Sequence, residues 1–132
     1  MSTIFTKIIN AEISAYKVAE DENYLAFLDV RPVVRGHVLC IPKVETDYIF
    51  DMDDASYSGL MLFSKKVAKG LKQVVECKKI GVSVVGLEVP HAHVHLIPMN
   101  SIADMNFANE RVVLSDEDFK SLASAIAEEI SL

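Results

Sequence analysis

The chain has 132 residues, of which 51% are hydrophobic and 24% are charged, and its formal net charge is −6. These values are typical of one globular domain, expected to span residues 1–132, that forms a core without disulfide or metal staples. An acidic chain with no basic cluster argues against binding to a nucleic-acid backbone. A small nucleotide stays compatible with this charge, because a local site can be positive on an acidic protein.

The sequence carries no signal of export or membrane insertion. Residues 1–7 lack an apolar signal core, and no segment approaches the roughly 20 apolar residues of a membrane span. Cys40 and Cys77 are far apart and lack the spacing of a metal site. We therefore predict a cytoplasmic protein with reduced thiols and no membrane association.

Apolar periodicity predicts the elements of the first half of the chain. Runs bounded by turn-forming residues indicate a short helix or turn and then three strands, over residues 4–9, 16–19, 24–28 and 37–41. Asp53 or Asp54 can cap a long helix that runs to about Cys77.

The second half of the chain repeats this order of strands followed by a helix. Strands are expected at 80–87 and 91–99, and Ser115 can cap a last helix. The order shows no regular alternation of strand and helix. It therefore favours an α+β fold with an antiparallel sheet over a doubly wound parallel sheet.

The long helix contains four consecutive apolar residues, Leu60-Met61-Leu62-Phe63. At about 100° per residue they surround the helix, so one face can pack on the sheet while another needs a second partner. A second copy of the chain is the favoured partner, which predicts a homodimer. A short helix from the same chain is the alternative.

Three histidines occupy alternate positions in a predicted strand, at His91, His93 and His95. Successive side chains of a strand point to opposite faces, so the three rings would share one face, with the outer two about 13 Å apart. The unperturbed pKa of imidazole lies near neutrality. Such a row can bind, protonate or attack an extended anion such as a phosphate ester.

Three interpretations of this row remain open: a phosphate-handling catalytic site, a metal site, and a structural strand with incidental histidines. A metal site would need Asp29 or Glu88 as a further ligand, and few acids lie nearby. A purely structural strand would have to satisfy several imidazoles in one place. His37 favours the first interpretation, because Gly36 before it lets the backbone approach closely.

Beyond the triad, further segments match in order, and together they make the chain similar to the histidine-triad (HIT) family. That family is named for His-x-His-x-His followed by apolar residues. The similarity covers residues 3–100 and includes the family's opening, its nucleoside-binding strand and its Gly-His segment, at 4–13, 25–30 and 36–43. The resemblance implies a five-stranded antiparallel sheet with one long helix and a C-terminal helix. It also implies a dimer that forms a continuous ten-stranded sheet.

The resemblance implies a hydrolase that cleaves nucleoside phosphoramidates or related nucleotidyl esters at the α-phosphorus. A purine nucleotide would be the substrate, and no cofactor would be needed. His93 would be the nucleophile and form a nucleotidyl-histidine intermediate. His95 and His37 would hold phosphate oxygens and help to protonate the leaving group, and His91 would support the site.

The implied nucleoside contacts come from other segments. Asp29 would accept hydrogen bonds from the ribose hydroxyls. The base would lie among four apolar residues, and two residues before the triad would complete the nucleotide site: Ile13, Phe27, Leu28 and Val30, then Gly86 and Leu87.

The chain departs from the family pattern just before the triad. Gly86-Leu87-Glu88 stands where many relatives carry Gly-Gln-Ser or Gly-Gln-Thr. An aliphatic residue and an acid thus replace residues that contact phosphate, and a carboxylate repels phosphate. This departure keeps open a nucleotide-binding or scaffolding protein with little catalysis. A dinucleoside polyphosphate hydrolase is the other alternative, but that branch normally carries the glutamine that Leu87 replaces.

A second departure lies near the N-terminus. Many bacterial-type relatives hold zinc there through two cysteines, and Thr3 and Thr6 occupy those positions in this chain. The sequence therefore predicts no structural zinc and no metal at the site.

Overall fold

The computed structural model describes residues 2–132, which form one sheet and three α-helices. The strands are β1 (Lys17–Glu20), β2 (Tyr24–Leu28), β3 (Val38–Pro42), β4 (Lys79–Ser83) and β5 (Val94–Met99). The helices are α1 (Ile4–Ile9), α2 (Asp54–Val74) and α3 (Asp116–Glu128), with short 3-10 helices at Ile49–Asp51 and Ile102–Met105. All strand pairs are antiparallel, in the order β1-β2-β3-β5-β4. The predicted α+β fold with a five-stranded antiparallel sheet is confirmed.

Local sequence signals placed several element ends correctly. The bounds of β2 are those predicted, and Asp53 and Ser115 cap α2 and α3 by accepting backbone N–H groups. The second half of the sheet is shorter than expected, because β4 ends at Ser83 and residues 84–87 lie outside the sheet. Helix α2 also ends at Val74, before the predicted end.

Strand β5 begins at Val94 and not at residue 91 as predicted. The reason is that two amides before it have partners outside the sheet ladder. The amide of Ala92 donates to the carbonyl of Thr46 at 2.6 Å, and that of His91 donates to Val89 at 2.8 Å.

Each face of the sheet carries its own apolar layer. Helices α2 and α3 cover one face, where Ala92, Val94 and Leu96 join the larger core. Helix α1 covers part of the other face, where Phe5 lies edge-on to His91 and His93 with ring centroids 5.7 and 5.0 Å apart. The predicted alternation through the triad therefore holds, although its first residues lie before the strand.

The apolar ring of α2 is partly covered by the chain itself. Leu60 and Phe63 are buried and Met61 is half-buried against the core, but Leu62 is 59% exposed.

Among residues 2–132, no helix combines the length and apolar character that crossing a membrane requires.

Replacing Gly36 should destabilise the fold. Gly36 has a φ of +94°, and a Cβ there would lie 2.9 Å from Val75 Cγ2 and 3.2 Å from Pro98 Cγ. We expect Gly36→Ala to lower the free energy of unfolding by about 1–3 kcal/mol from backbone strain, with a further loss from the clash. Urea unfolding measures this change.

Gly86→Ala is the matched control for the clash. Gly86 also has a positive φ, of +68°, but a Cβ there would meet no atom within 4 Å. Its loss should be smaller, about 1–2 kcal/mol. Equal losses for the two variants would show that packing around Gly36 does not matter.

Candidate functional site

A cleft of about 870 Å³ opens on the face of the sheet that carries α1. Its walls come from the start of α1, residues 29–31 after β2, residues 85–89 before the triad and residues 107–111. The cleft brings together predicted site residues that are far apart in sequence, namely Asp29, Val30, Gly86, Leu87, His93 and His95.

Of the four residues expected around a base, Val30 lines the cleft and the other three do not. Phe27 lies behind Phe5, with ring centroids 5.6 Å apart, and Phe5 itself forms part of the wall. Leu28 faces the core beneath α2 and α3, because alternation along β2 turns it away from the face that Phe27 occupies. Ile13 lies outside the lining on the turn after α1.

Residues 107–111 form a wall of the cleft that sequence patterns did not predict. Phe107 packs edge-on against His95, with ring centroids 4.8 Å apart. Arg111 donates to the carbonyls of Arg31 and Phe107, at 3.0 and 3.3 Å, and so ties this wall to the segment after β2. An aromatic residue and an arginine in an irregular polar stretch were the available signal, but they have no periodicity that predicts their position.

The proton on His93 is placed by the backbone. Its Nδ1 lies 2.7 Å from the carbonyl oxygen of His91. Because a carbonyl oxygen accepts and cannot donate, Nδ1 carries the proton, and the neutral ring keeps its lone pair on Nε2. His93 therefore brings a nucleophilic or basic nitrogen to the cleft.

In the neighbouring rings of His37 and His95 the proton lies on Nε2 and not on Nδ1. The amide of Val33 donates to Nδ1 of His37 at 3.2 Å, so the proton of His37 lies on Nε2. That nitrogen is 2.9 Å from Nδ1 of His95 and donates to it. The proton of neutral His95 is therefore on Nε2, which gives the cleft a hydrogen-bond donor beside His93.

Burial keeps His37 and His95 neutral near pH 7. Desolvation lowers the pKa of His37 to about 3, with further lowering by the charges of His95 and Arg111. Desolvation, and then the charge of His93, lowers the pKa of His95 to about 4. His37 is 1% exposed and lies behind the cleft, so its contact with the site runs through His95.

Asp29 lies at the junction of the cleft and this pair. Its Oδ1 accepts the amide of Arg31 at 2.8 Å, and its Oδ2 is 3.7 Å from Nε2 of His37. Burial raises the pKa of Asp29, although the Arg31 amide and the charge of Arg111 oppose this shift. A sugar hydroxyl at this carboxylate could replace part of the lost hydration.

Asp29, His37 and His95 are also the potential metal ligands that the fold brings together. Within residues 2–132 their ligand atoms lie within 4.8 Å of one another, and Glu88 is not part of this group. A metal here would have to displace the proton that His37 donates to His95. At the N-terminus, Thr3 and Thr6 offer hydroxyls and not thiolates, so these two positions do not fit zinc.

Comparison with known proteins agrees with this architecture. A family model described as HIT domain matches residues 10–102. An uncharacterized HIT-like protein of Borreliella burgdorferi is 36% identical, over 94% of this chain and 95% of that protein. The adenosine 5'-monophosphoramidase hnt1 of Schizosaccharomyces pombe is 31% identical, over 98% of this chain and 99% of that protein.

A solved structure shows the same fold. The crystal structure of a Hit-like protein involved in cell-cycle regulation from Bartonella henselae superposes with a TM-score of 0.84 at 28% identity. The match covers 98% of this chain and 96% of that one.

The depressed pKa values of His37 and His95 predict that the free energy of unfolding decreases as the pH is lowered below about 6.5. The ordinary imidazole pKa of both groups is 6.5, and in the folded protein the pKa is about 3 for His37 and about 4 for His95. Between these limits the unfolded chain binds more protons, so acid favours unfolding. The loss approaches about 1.4 kcal/mol per pH unit for each group at its steepest.

Urea unfolding between about pH 5 and 7 measures this dependence, in a range where most carboxylates stay ionised. His95→Gln removes one of the two groups and should give a shallower slope. Equal slopes for the wild type and this variant would contradict the prediction.

Proposed function

Because this chain belongs to the histidine-triad family, we propose that it hydrolyses nucleoside phosphoramidates or related nucleotidyl esters at the α-phosphorus through a nucleotidyl-histidine intermediate. The observation that carries the proposal is the 2.7 Å bond from His93 Nδ1 to the carbonyl of His91, which leaves Nε2 as the unprotonated nitrogen. The S. pombe relative, named for adenosine 5'-monophosphoramidase activity, supports the substrate class.

In the first step His93 Nε2 attacks the α-phosphorus, and a P–N bond forms as the bond to the leaving group breaks. His95 stays neutral and donates a hydrogen bond from Nε2 to a phosphoryl oxygen or to the leaving atom, which stabilises the negative charge that develops there. A water molecule gives the leaving group its proton and becomes hydroxide. His37 holds His95 in the orientation that this hydrogen bond needs.

In the second step water resolves the intermediate. The hydroxide formed in the first step attacks the phosphorus, the P–N bond to His93 breaks, and the nucleoside monophosphate is released. The bond from His93 Nδ1 to the His91 carbonyl stabilises the positive charge that the substituted ring carries in the intermediate. The two steps together return both histidines to their starting protonation states.

The rest of the nucleotide would occupy the walls beside the histidines. Asp29 would accept from the ribose hydroxyls, and Val30 would contact the purine base. Gly86 and Leu87 would flank the phosphate or its leaving group. Leu28 takes no part in this arrangement, because it lies on the other face of the sheet.

A second candidate is a nucleotide-binding or scaffolding protein with little catalysis. It rests on Leu87 and Glu88, which line the cleft where polar contacts to a leaving group would be useful. A carboxylate at this wall disfavours leaving groups that carry further phosphates. For the same reason a dinucleoside polyphosphate hydrolase is the weaker enzymatic alternative.

Replacing the nucleophile should separate turnover from binding. We expect His93→Gly to lower kcat by about 10³-fold or more, because the covalent step is lost, while nucleotide affinity stays close to that of the wild type. Steady-state kinetics on adenosine phosphoramidate and calorimetry with AMP measure the two quantities. Added imidazole should restore part of the turnover, since it can occupy the space of the missing ring.

The wild type should also show one nucleotidyl adduct per chain, mapped to His93, when turnover is quenched without acid. Turnover of His93→Gly within a few-fold of the wild type would rule out the covalent mechanism. The same assay should compare adenosine and guanosine phosphoramidates, diadenosine polyphosphates and nucleotide sugars. Activity lost with a chelator and restored by a divalent ion would instead support a metal at Asp29, His37 and His95.

We also propose that two chains pair to form a ten-stranded sheet. Strand β4 is at one edge of the sheet, where its outer backbone groups can pair with a second copy. Val82 on this strand is 53% exposed, and Leu62 on α2 is 59% exposed. Exposed apolar side chains on an edge strand and on a helix that contacts it suit an interface between copies.

Leu62→Glu should shift the protein toward the monomer, because the interface would bury an unpaired charge. Sedimentation of the wild type at micromolar concentration should give twice the chain mass of 14.6 kDa. Val44→Glu is a matched control, since Val44 is 76% exposed and lies on the segment after β3. A monomeric wild type, or equal shifts in both variants, would contradict this interface.

A further inference from the structure

His91 is buried behind the cleft, yet both of its ring nitrogens have partners. It is 0% exposed, and its Nε2 lies 2.8 Å from the carbonyl oxygen of Pro42. Since that carbonyl can only accept, Nε2 carries the proton. Burial lowers the pKa of His91, so the ring is neutral near pH 7 and its Nδ1 is an acceptor. The hydroxyl of Thr3, 3.0 Å away, donates to it.

Thr3 is in turn anchored to the carboxylate of Glu45. The amide of Thr3 and the hydroxyl of Thr6 both donate to Oε1 of Glu45, at 3.0 and 2.6 Å. The Thr6 hydroxyl, followed by the Thr3 amide, holds the pKa of Glu45 below its usual value, so this carboxylate is charged near pH 7. The hydroxyl of Thr3 also caps α1 by accepting the amide of Thr6 at 3.1 Å.

The residue after Glu45 fixes the peptide group that orients the nucleophile. The carbonyl of Thr46 accepts the amide of Ala92 at 2.6 Å. That amide belongs to the same peptide group as the His91 carbonyl, which accepts from His93 Nδ1 at 2.7 Å. Because a peptide group is planar, a fixed N–H also fixes the direction of its C=O.

We propose that Glu45 and Thr3 are positioning residues for His93, acting through His91 and the peptide group that follows it. Thr3 holds the ring of His91, while Glu45 holds Thr3 and the segment that bonds to Ala92. Neither Glu45 nor Thr3 lines the cleft, so neither contacts the substrate. The kinetic consequence rests on the proposed function, in which His93 is the nucleophile.

Loss of this anchor should change the protonation pattern of His93. If the peptide group after His91 can rotate, its carbonyl no longer holds the proton on Nδ1 of His93. Part of the population then carries the proton on Nε2, where it blocks attack. Contacts with the ribose and base lie elsewhere in the cleft, so kcat should fall while KM stays the same.

Glu45→Ala tests the proposal, with Glu45→Gln and Asp47→Ala as comparisons. Glu45 is exposed, so its replacement should leave the protein folded. We expect Glu45→Ala to lower kcat by about 10- to 100-fold at unchanged KM. Glu45→Gln keeps an oxygen acceptor and should recover most of this loss. Asp47→Ala removes another exposed acid on the same segment and should match the wild type.

Imidazole ¹⁵N NMR gives a readout that does not require turnover. His93 should have its proton on Nδ1 in the wild type and show a mixture of tautomers in Glu45→Ala. Thr3→Ser, which keeps the hydroxyl, should resemble the wild type, whereas Thr3→Val should resemble Glu45→Ala. Urea unfolding checks that each variant is folded.

The outcomes separate the two proposals. An unchanged kcat and an unchanged His93 tautomer in Glu45→Ala would overturn the positioning role and leave the proposed function standing. A wild type without turnover on any tested substrate would overturn the proposed function. The NMR comparison would still decide whether Glu45 positions His93.

Discussion

Four imidazole rings lie buried together in this protein, and the pairing of β3 with β5 brings two of them close enough to share a hydrogen bond. Each of the four histidines is at most 7% exposed. A buried polar nitrogen without a partner costs on the order of 1–3 kcal/mol, so the fold must supply partners for several of them. The register that places Leu39 beside His95 brings His37, just before β3, next to His95. Within residues 2–132 no buried side-chain nitrogen or oxygen lacks a partner.

The backbone groups around these rings decide what the cleft presents to a ligand. The amide of Val33 can only donate and the carbonyl of His91 can only accept, and these two groups set opposite tautomers in neighbouring rings. His93 therefore offers a lone pair while His95 offers an N–H. A single phosphate needs both, one at phosphorus and one at oxygen. The low pKa values that burial imposes on His37 and His95 preserve this arrangement near neutral pH.

Much of the sheet and of its helices could be predicted from the sequence, because strand alternation and helix capping depend on only a few neighbouring residues. The alternation of His91, His93 and His95 placed three rings on one face, and Asp53 and Ser115 marked the starts of two helices. The same alternation explains why Leu28 does not lie beside Phe27 on the cleft side of the sheet, as the sequence analysis expected. Phe27 and Leu28 are adjacent in β2 and must point to opposite faces, so both could not line one pocket.

Features that depend on distant partners were not predictable in this way. The shortened start of β5 results from a bond between Ala92 and Thr46, which no local pattern indicates. The wall at Phe107 and Arg111 is irregular, and its position depends on bonds such as that from Arg111 to Arg31. Likewise, nothing in the sequence near Glu45 indicates that it is linked to His91.

The residues that line the cleft differ in how tightly they pack against the core. The positions of His91, His93 and His95 are set by the core, by α1 and by backbone bonds. Leu87 lies outside the sheet and is 89% exposed, and a Cβ added at Gly86 would meet no neighbour. Side chains in this segment can therefore change with little effect on packing, although they line the same cleft. Under the proposed function, the effect of Leu87 and Glu88 should therefore fall on the choice of leaving group and not on the position of His93.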